Sequence, residues 1–490
     1  MEKLKSNNSS IRLLYINYPC PGDSNDAPLL SFGYLGTISK IMGCQVHIID
    51  ANFHLKPYTN QDIIETVNRI KPHLVGMTLF TYSSRYGYSL LKQLKEECKD
   101  ALYVAGGPHT TILPQESLKF GFDVACRGEG EKTMGSLIRY LRGEIDLNEI
   151  KGIDYRNSEG NITSQPHIEA EENLDALPIV DYDLFDPLYF SQKNIERSEF
   201  GIFTSRGCPS KCTFCNSYGV FGTRYRYRSA ENVLYELELL NKKYGITVIN
   251  FLDDYFTLNR NRMADICQGI IKRNIKIRWG AYSKAGVIPK DLFGLLKESG
   301  CINIAYGIEN VYPKTLKLIN KRTSLKAINE TYKNTHDAGI PFKTNIMAGF
   351  PWETKKSLKT NIDFILKHKR NNSLARFNLP LLYPIPSTKL YEDYVEQFPA
   401  IKETWLNPQT MQALGTGEEY LKVNLFNLKK SVIREIKFLA FIMYRIMPLK
   451  SVNKLKRWLI YPFKRIIYSY YFLKLYYILG GRKKEFVGKI

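Results

Sequence analysis

The sequence predicts an α/β protein with a doubly wound parallel sheet at its N-terminus, a partial β/α barrel in the middle and a mostly helical C-terminal region. Three observations carry that prediction. The chain has 490 residues and is 44% apolar, enough for about three cores and too hydrophobic for a disordered polypeptide. Its first 150 residues alternate short apolar runs with amphipathic stretches. Beyond residue 200, six strand-like runs begin 27 to 46 residues apart.

In the first region, residues 11–16, 45–49, 74–79, 102–105 and 123–126 read as buried strands, with helical periodicity over 63–70 and 89–99. Five strands with intervening helices make a sheet whose ligands bind at the strands' carboxyl ends. There the sequence places Asn17-Tyr18-Pro19, Asp50-Ala51-Asn52, residues 78–84, Gly106-Gly107-Pro108-His109 and Arg127-Gly128-Glu129-Gly130-Glu131. These loops are rich in Gly and small polar residues, which permit close backbone approach to a ligand. From 152 to 199 periodicity fades and Pro and Asp rise, so 151–199 reads as a linker with a hairpin at Glu159-Gly160. Barrel strands are predicted at 201–204, 247–252, 276–279, 303–306, 343–347 and 375–379, with helices over 230–243 and 289–297. Such a barrel keeps its chemistry at the carboxyl ends of its strands. The predicted division is 1–150, 151–199, 200–390 and 391–490.

Sixty-nine Lys and Arg against 48 Asp and Glu give a formal net charge of +21. Residues 428–490 hold sixteen of the basic residues and two acids, Glu435 and Glu485, so +14 sits in the last 63 residues and only +7 in the other 427. That distribution argues against nucleic acid as a partner of the whole protein. The tail interleaves its cations with Trp458, Tyr461, Phe463, Tyr468, Tyr470, Tyr471, Phe472, Tyr476 and Tyr477. It fits either amphipathic helices in peripheral contact with a membrane or helices packed on the barrel with their lysine heads in water. The N-terminus lacks an apolar signal-like stretch, and no run reaches the roughly 18 apolar residues a bilayer span requires. The expected location is the cytoplasm, with any membrane association through the tail.

Nine cysteines are too few for a disulfide scaffold in a chain of this length, and three of them fall within eight residues: Cys208-Pro-Ser-Lys-Cys212-Thr-Phe-Cys215. The stretch follows the first barrel strand. Three thiolates on one loop can hold three irons of a 4Fe-4S cube and leave the fourth open to a ligand. Zinc is the competing reading, but structural zinc takes four ligands, and the nearest histidines, His167 and His336, are not in a zinc-like spacing.

The Cys-x3-Cys-x2-Cys pattern, with the aromatic Phe214 before its last cysteine, resembles the radical S-adenosylmethionine (SAM) enzymes. Gly106-Gly-Pro-His-Thr-Thr, Pro114-Gln-Glu, Arg127-Gly-Glu-Gly-Glu-Lys-Thr, Leu174-Asp-Ala-Leu-Pro, Tyr227-Arg-Ser-Ala-Glu-Asn-Val, Phe251-Leu-Asp-Asp and Tyr306-Gly-Ile-Glu-Asn follow in the order of one subgroup's landmarks. That subgroup carries an N-terminal cobalamin-binding domain and includes the anaerobic magnesium-protoporphyrin ester cyclase and many radical methyltransferases. The resemblance covers residues 11 to about 390.

The resemblance implies three cofactors, a 4Fe-4S cluster, SAM and cobalamin, and an oxygen-sensitive enzyme. Cys208, Cys212 and Cys215 would hold the cluster. Phe214 and the pair Asp253 and Asp254 would lie at the SAM site, a carboxylate meeting the methionine ammonium. Glu309 would accept from the ribose hydroxyls, and Met347 and Gly349 would border the adenine. Arg226 or Arg228 is offered for the methionine carboxylate, against an ordinary ion-paired role. Asp253 and Asp254 also read as a turn-capping pair. Thr78, Gly106 and Gly107 match positions lining the slot for the cobalamin tail, with His109, Gly128 and Glu129 on the same or the next loop. No Asp-x-His-x-x-Gly occurs, which implies cobalamin bound without a lower histidine ligand; His109 is the challenger and reads equally as a loop-shaping residue. No catalytic residue is assigned.

The implied reaction is cleavage of SAM to a 5′-deoxyadenosyl radical, with methylcobalamin delivering a methyl group to an unactivated carbon of a small-molecule, lipid or peptide substrate. Electrons would come from a flavodoxin or ferredoxin type donor. The alternatives are an oxidative cyclisation or rearrangement on the same cofactors, a methylthiotransferase, and a corrinoid carrier with a degenerate barrel. A methylthiotransferase needs further cluster cysteines in the first domain. Of Cys20, Cys44 and Cys98 there, Cys44 lies just before a strand and Cys98 in a predicted helix, places that suit buried small apolar residues.

Overall fold

The computed structural model describes residues 10–191, 200–371, 373–402, 404–407 and 424–441, together with Lys474 and Tyr477. All five N-terminal apolar runs form strands separated by helices. In order these are β1 (Arg12–Asn17), α1 (Leu30–Ile41), β2 (Gln45–Asp50), α2 (Asn60–Ile70), β3 (Leu74–Thr78), α3 (Ser84–Glu97), β4 (Leu102–Gly106), α4 (Gly107–Ile112), α5 (Pro114–Lys119), β5 (Val124–Cys126) and α6 (Glu131–Leu141). β3 is buried at all five residues, as a parallel strand covered on both faces must be. Thr59 opens α2 with a capping box closed by Asp62, which satisfies two backbone donors that the helix cannot.

The strand order is β2-β1-β3-β4-β5, all parallel, so the winding reverses between β1 and β3. Thr78 and Gly106 stand opposite each other at the ends of β3 and β4. Two further strands, β6 (Ile153–Arg156) and β7 (Ile162–Ser164), extend this sheet antiparallel. The linker reading is corrected here: the predicted hairpin is part of the sheet, and Ile153 and Tyr155 pack with Leu137 and Ile138 in its core. Strands of three or four residues are too short to show alternation in the sequence. The following segment is also anchored, since Tyr189 stacks on Phe53 at 3.8 Å between ring centres and donates its hydroxyl to Asp50 at 2.9 Å.

The chain forms two compact units. One takes Met1–Pro209, Asn216–Asp254 and Ile275–Ile277, the other Ser210–Cys215, Tyr255–Asn274 and Arg278–Ile490. The first therefore also holds β8 (Phe200–Ile202), β9 (Ser205–Arg206), α7 (Ser217–Phe221), β10 (Arg226–Tyr227), α8 (Ala230–Tyr244) and β11 (Val248–Phe251). β8 and β11 pair parallel, and α8 runs from a Ser229 cap to Gly245, whose left-handed backbone ends it.

The second unit contains α9 (Arg260–Lys272), β12 (Arg278–Ser283), α10 (Leu292–Glu298), β13 (Cys301–Glu309), α11 (Pro313–Leu318), α12 (Leu325–Asp337), β14 (Phe342–Ile346), α13 (Lys355–Asn371), β15 (Ala375–Asn378), α14 (Lys389–Tyr394) and α15 (Lys430–Phe441). β12 to β15 pair parallel in sequence order. All six strands of the predicted strand-helix repeat are thus present. Past β15 the chain packs back onto this unit: Leu382, Leu390, Ile401, Leu425 and Phe426 share an apolar cluster with Ile319 and Phe350.

α15 buries Val432, Ile436 and Leu439. Lys474 pairs with Glu435 on this helix, and Tyr477 rests on Phe438 and Phe441 at 5.4 and 5.2 Å between ring centres. Those two tail residues are half-buried. The other tail aromatics, from Trp458 to Tyr476, lie outside the described residues, and with them the membrane-contact expectation. Among the described residues no helix is long and apolar enough to cross a membrane.

Candidate active site

The cysteine stretch begins in the first unit. β9 pairs antiparallel with β10, and Gly207 follows with φ +86°. A Cβ there would stand 2.1 Å from the Arg224 carbonyl oxygen, so only glycine fits. Cys208 is half-buried and donates its N–H to the Gly222 carbonyl at 3.3 Å.

Directly before it, Arg206 forks onto Glu129 at 2.7 Å and Glu131 at 2.6 Å. Arg226 meets the same Glu129 and donates to the Glu171 carbonyl at 2.7 Å. The Arg206 and Glu129 side chains are each 7% exposed, so neither charge could stay buried without the other. Burial alone would raise the Glu129 carboxyl, but Arg226 and Arg206 outweigh it and hold the group below the usual carboxylate range. Two sequence expectations are redirected here. The Glu129 carboxylate, expected beside cobalamin, is taken by arginines, and Arg226, offered to the methionine carboxylate, is taken by Glu129. Arg228 is likewise occupied, by Glu236 and by the Phe203 carbonyl at 3.0 Å.

The two aspartates after β11 have separate roles. Asp253 is fully buried and accepts from the Thr204 N–H at 2.6 Å, the Thr204 hydroxyl at 2.5 Å and the Ser205 hydroxyl at 2.6 Å. It anchors the strand leading to Cys208 across the fold rather than capping its own turn, and its oxygens face protein. Asp254 is exposed and accepts from the Ser217 hydroxyl. Desolvation by the surrounding protein raises its carboxyl, Ser217 opposes this, and the neighbouring Asp253 adds to the rise. Of the pair, Asp254 is the exposed one.

The stretch ends in the second unit. Cys212 is buried, Cys215 half-buried, and the Cys215 N–H reaches the Cys212 carbonyl at 3.2 Å. Thr213 donates to the Ile319 carbonyl at 3.2 Å and accepts from the Leu390 N–H at 2.8 Å. The Asn320 amide donates to the Lys211 carbonyl at 2.7 Å. Phe214 packs on the apolar cluster of Ile319, Phe350 and Leu390.

This unit also holds Glu309, Met347 and Gly349 of the expected SAM residues, and Met347 packs on the same apolar cluster as Phe214. Glu309, buried and with φ +66°, gives its carbonyl to the Met347 N–H at 2.7 Å. Its carboxylate pairs with Lys321 at 3.2 Å, and the Lys321 ammonium lies 5.9 Å from the Phe214 ring centre. A Cβ on Gly307 would come within 3.0 Å of the Glu309 carboxylate and 3.1 Å of that ammonium, so a larger residue there would press on this ion pair. Gly349, with φ +96°, donates to Glu353 at 3.1 Å, and Ser357 donates to the same carboxyl at 2.8 Å. Burial pushes the Glu353 carboxyl up to about 7.

Lys321 and Glu353 were missed in the sequence. Asn320-Lys-Arg322 carries no pattern, and the glutamate two residues after Pro351 in Gly349-Phe-Pro-Trp-Glu was the only available signal.

In the N-terminal sheet, Thr78, Gly106 and Gly107 lie together at the strand ends. Gly107 has φ +90°, and a Cβ on it would fall 2.5 Å from the Thr78 hydroxyl and 3.0 Å from the Leu79 backbone. Beside Gly106, by contrast, a Cβ would meet nothing within 4 Å, so the space at the carboxyl end of β4 is open where the resemblance implies the slot. Gly128, with φ +74°, donates to Thr111 at 3.0 Å and borders the next loop. His109 is enclosed: its ring meets Glu116 at 2.9 Å, Tyr88 at 3.0 Å and Thr81 at 3.3 Å. These partners fix its side chain within the loop.

The residues fit the implied groups. Among the described residues no three His, Cys, Asp or Glu side chains converge closely enough to hold a single metal ion. A cube places each thiolate on a different iron, so its ligands need not converge, and three thiols without a histidine are a soft donor set. The glycine slot offers backbone and open volume, as an extended nucleotide tail needs.

A Radical SAM superfamily model matches residues 202–365 and a B12 binding domain model matches residues 24–138. An uncharacterized methyltransferase of Pyrococcus horikoshii is 32% identical over 368 residues, 74% of this chain and 78% of its own length. The anaerobic magnesium-protoporphyrin IX monomethyl ester cyclase of Rubrivivax gelatinosus is 27% identical over 74% of this chain, which spans only 66% of that relative. Among solved structures, the cobalamin-dependent SAM radical enzyme OxsB, with aqua-cobalamin and SAM bound, superposes with a TM-score of 0.68. The match covers 96% of this chain and 72% of that one at 18% identity, and shows a shared fold.

Proposed function

The chain belongs to the family of radical SAM proteins that carry a B12-binding domain, and from that premise we propose that it methylates an unactivated carbon of a small-molecule, lipid or peptide substrate. The observation that carries this reading is the pairing of a three-thiol stretch, each end separately anchored, with a glycine-lined slot at the ends of β3 and β4. When bound, the cluster, SAM and the corrinoid supply the radical and the methyl group, and the protein supplies orientation and dryness.

Cys208, Cys212 and Cys215 hold the cluster in this reading, within a radical SAM domain over 200–390. Asp254 takes the SAM ammonium, Glu309 the ribose, and Met347, Gly349 and Phe214 border the nucleoside. Thr78, Gly106, Gly107 and Gly128 line the corrinoid within a domain over 1–150. The apolar cluster behind Phe214 keeps water from that wall of the site. No disulfide joins any of the nine cysteines, and the reading is of an oxygen-sensitive enzyme in the cytoplasm, fed by a flavodoxin or ferredoxin type donor.

The relative named as a cyclase favours one second reading, oxidative cyclisation without methyl transfer. The two separate when anaerobic, reconstituted protein is given methyl-deuterated SAM and a metabolite extract of its host. A new product carrying the labelled methyl, with 5′-deoxyadenosine, supports methylation. Formation of 5′-deoxyadenosine with an unlabelled product supports cyclisation.

A further inference from the structure

Lys321 is a buried ammonium for which the proposed reaction has so far no use. The residue is 9% exposed, and its neighbours Asn320 and Arg322 both take left-handed backbone conformations, at φ 51° and 49°. Two non-glycine residues held that way mark a turn fixed by its surroundings. Those surroundings are the cysteine stretch itself. The Ile319 carbonyl accepts from the Thr213 N–H and the Asn320 side-chain amide donates to the Lys211 carbonyl, so the segment bearing Lys321 is bonded to the one bearing Cys212 and Cys215.

The ammonium is aimed at that stretch, 5.9 Å from the Phe214 ring centre, with Glu309 behind it at 3.2 Å. Burial works against its charge, but Glu309 and the thiols of Cys212 and Cys215 outweigh burial and raise it above an ordinary lysine. Phe214 lies between Cys212 and Cys215 in the chain, so the ammonium stands beside the loop that carries both thiols.

We propose that Lys321 is an electrostatic positioning residue for the cluster, a fixed cation beside two of its thiolates that raises the cluster's reduction potential. The proposal rests on the reading that Cys208, Cys212 and Cys215 hold a 4Fe-4S cluster. One-electron reduction by an external donor adds one negative charge to the cluster and makes or breaks no bond. A nearby cation in a low-dielectric setting stabilises the reduced form more than the oxidised one. Glu309 partly cancels that cation, so the two residues should shift the potential in opposite directions.

The test uses full-length, anaerobically reconstituted protein without SAM. Iron content and an EPR-monitored redox titration are measured for wild type, Lys321→Gln, Lys321→Arg and Glu309→Gln. We expect about four irons per chain in each. The midpoint should fall in Lys321→Gln, return towards wild type in Lys321→Arg and rise in Glu309→Gln. A residue that only packs would move the midpoint in neither case, or would move it the same way in both. An unchanged midpoint in an iron-loaded Lys321→Gln overturns the proposal. If that variant takes up no iron, Glu309→Gln decides, and an unchanged or lowered midpoint there overturns it. Wild type without iron would instead remove the cluster reading beneath it.

Discussion

Cys208 and Cys212 are four residues apart in the sequence, yet their surroundings hold them by different means. At Cys208 the grip is charge and steric exclusion: Arg206 and Arg226 share Glu129, Asp253 takes three donors, and Gly207 fills a space with no room for a Cβ. At Cys212 and Cys215 it is backbone hydrogen bonding and apolar packing, with Thr213 between two chain segments and Phe214 in an apolar cluster. The first kind is intolerant, because a buried charge without its partner is strongly unfavourable. The second is distributed over groups that most substitutions leave in place. The Cys208 end should therefore break more sharply.

The largest expected effect is at Gly207. Gly207→Ala forces a Cβ to within 2.1 Å of a backbone oxygen at a positive φ, and should destabilise the first unit by roughly 5 kcal/mol or more. Denaturant unfolding of purified protein reads this as collapse or absence of the folded state. A normally stable variant would show that the turn is loose and the comparison misjudged.

Next is Glu129→Gln, which leaves Arg206 and Arg226 without their shared carboxylate. The expected loss is about 3–5 kcal/mol, measured as a lowered unfolding midpoint. A loss under about 1 kcal/mol would place this network with surface pairs.

The smallest effect lies at the other end and depends on pH. Glu353 has a folded carboxyl near 7 against an ordinary 4.5, so its contribution is fully present below about 4.5 and is lost as pH rises towards 7. Glu353→Gln cannot ionise. It should equal wild type at acid pH and become more stable by up to roughly 3 kcal/mol above pH 7. Parallel stability profiles for the two proteins would contradict the buried assignment.

The two regions also differed in how far they could be read in advance. Strands announced themselves wherever burial on both faces demanded continuous apolar runs, as in β3, and the cysteine spacing and Gly106-Gly107 were visible as chemistry. Partners of charged residues were not. Glu129, Arg226 and Arg228 are polar residues in loops or beside them, and nothing local distinguishes a carboxylate facing a ligand from one facing an arginine 97 residues away. Lys321 was invisible for the same reason, since only the fold brings it to the cysteine stretch. The Asp253 and Asp254 pair was legible as a pair, but its division into one anchor and one exposed group required their neighbours' positions.

The central claim is that the three-thiol stretch carries the SAM chemistry while the glycine slot independently binds the corrinoid. Its most direct measurement is Cys212→Ala, purified anaerobically and assayed with SAM and dithionite. The expected result is loss of 5′-deoxyadenosine formation with cobalamin uptake equal to wild type. Continued SAM cleavage in the variant would contradict the account.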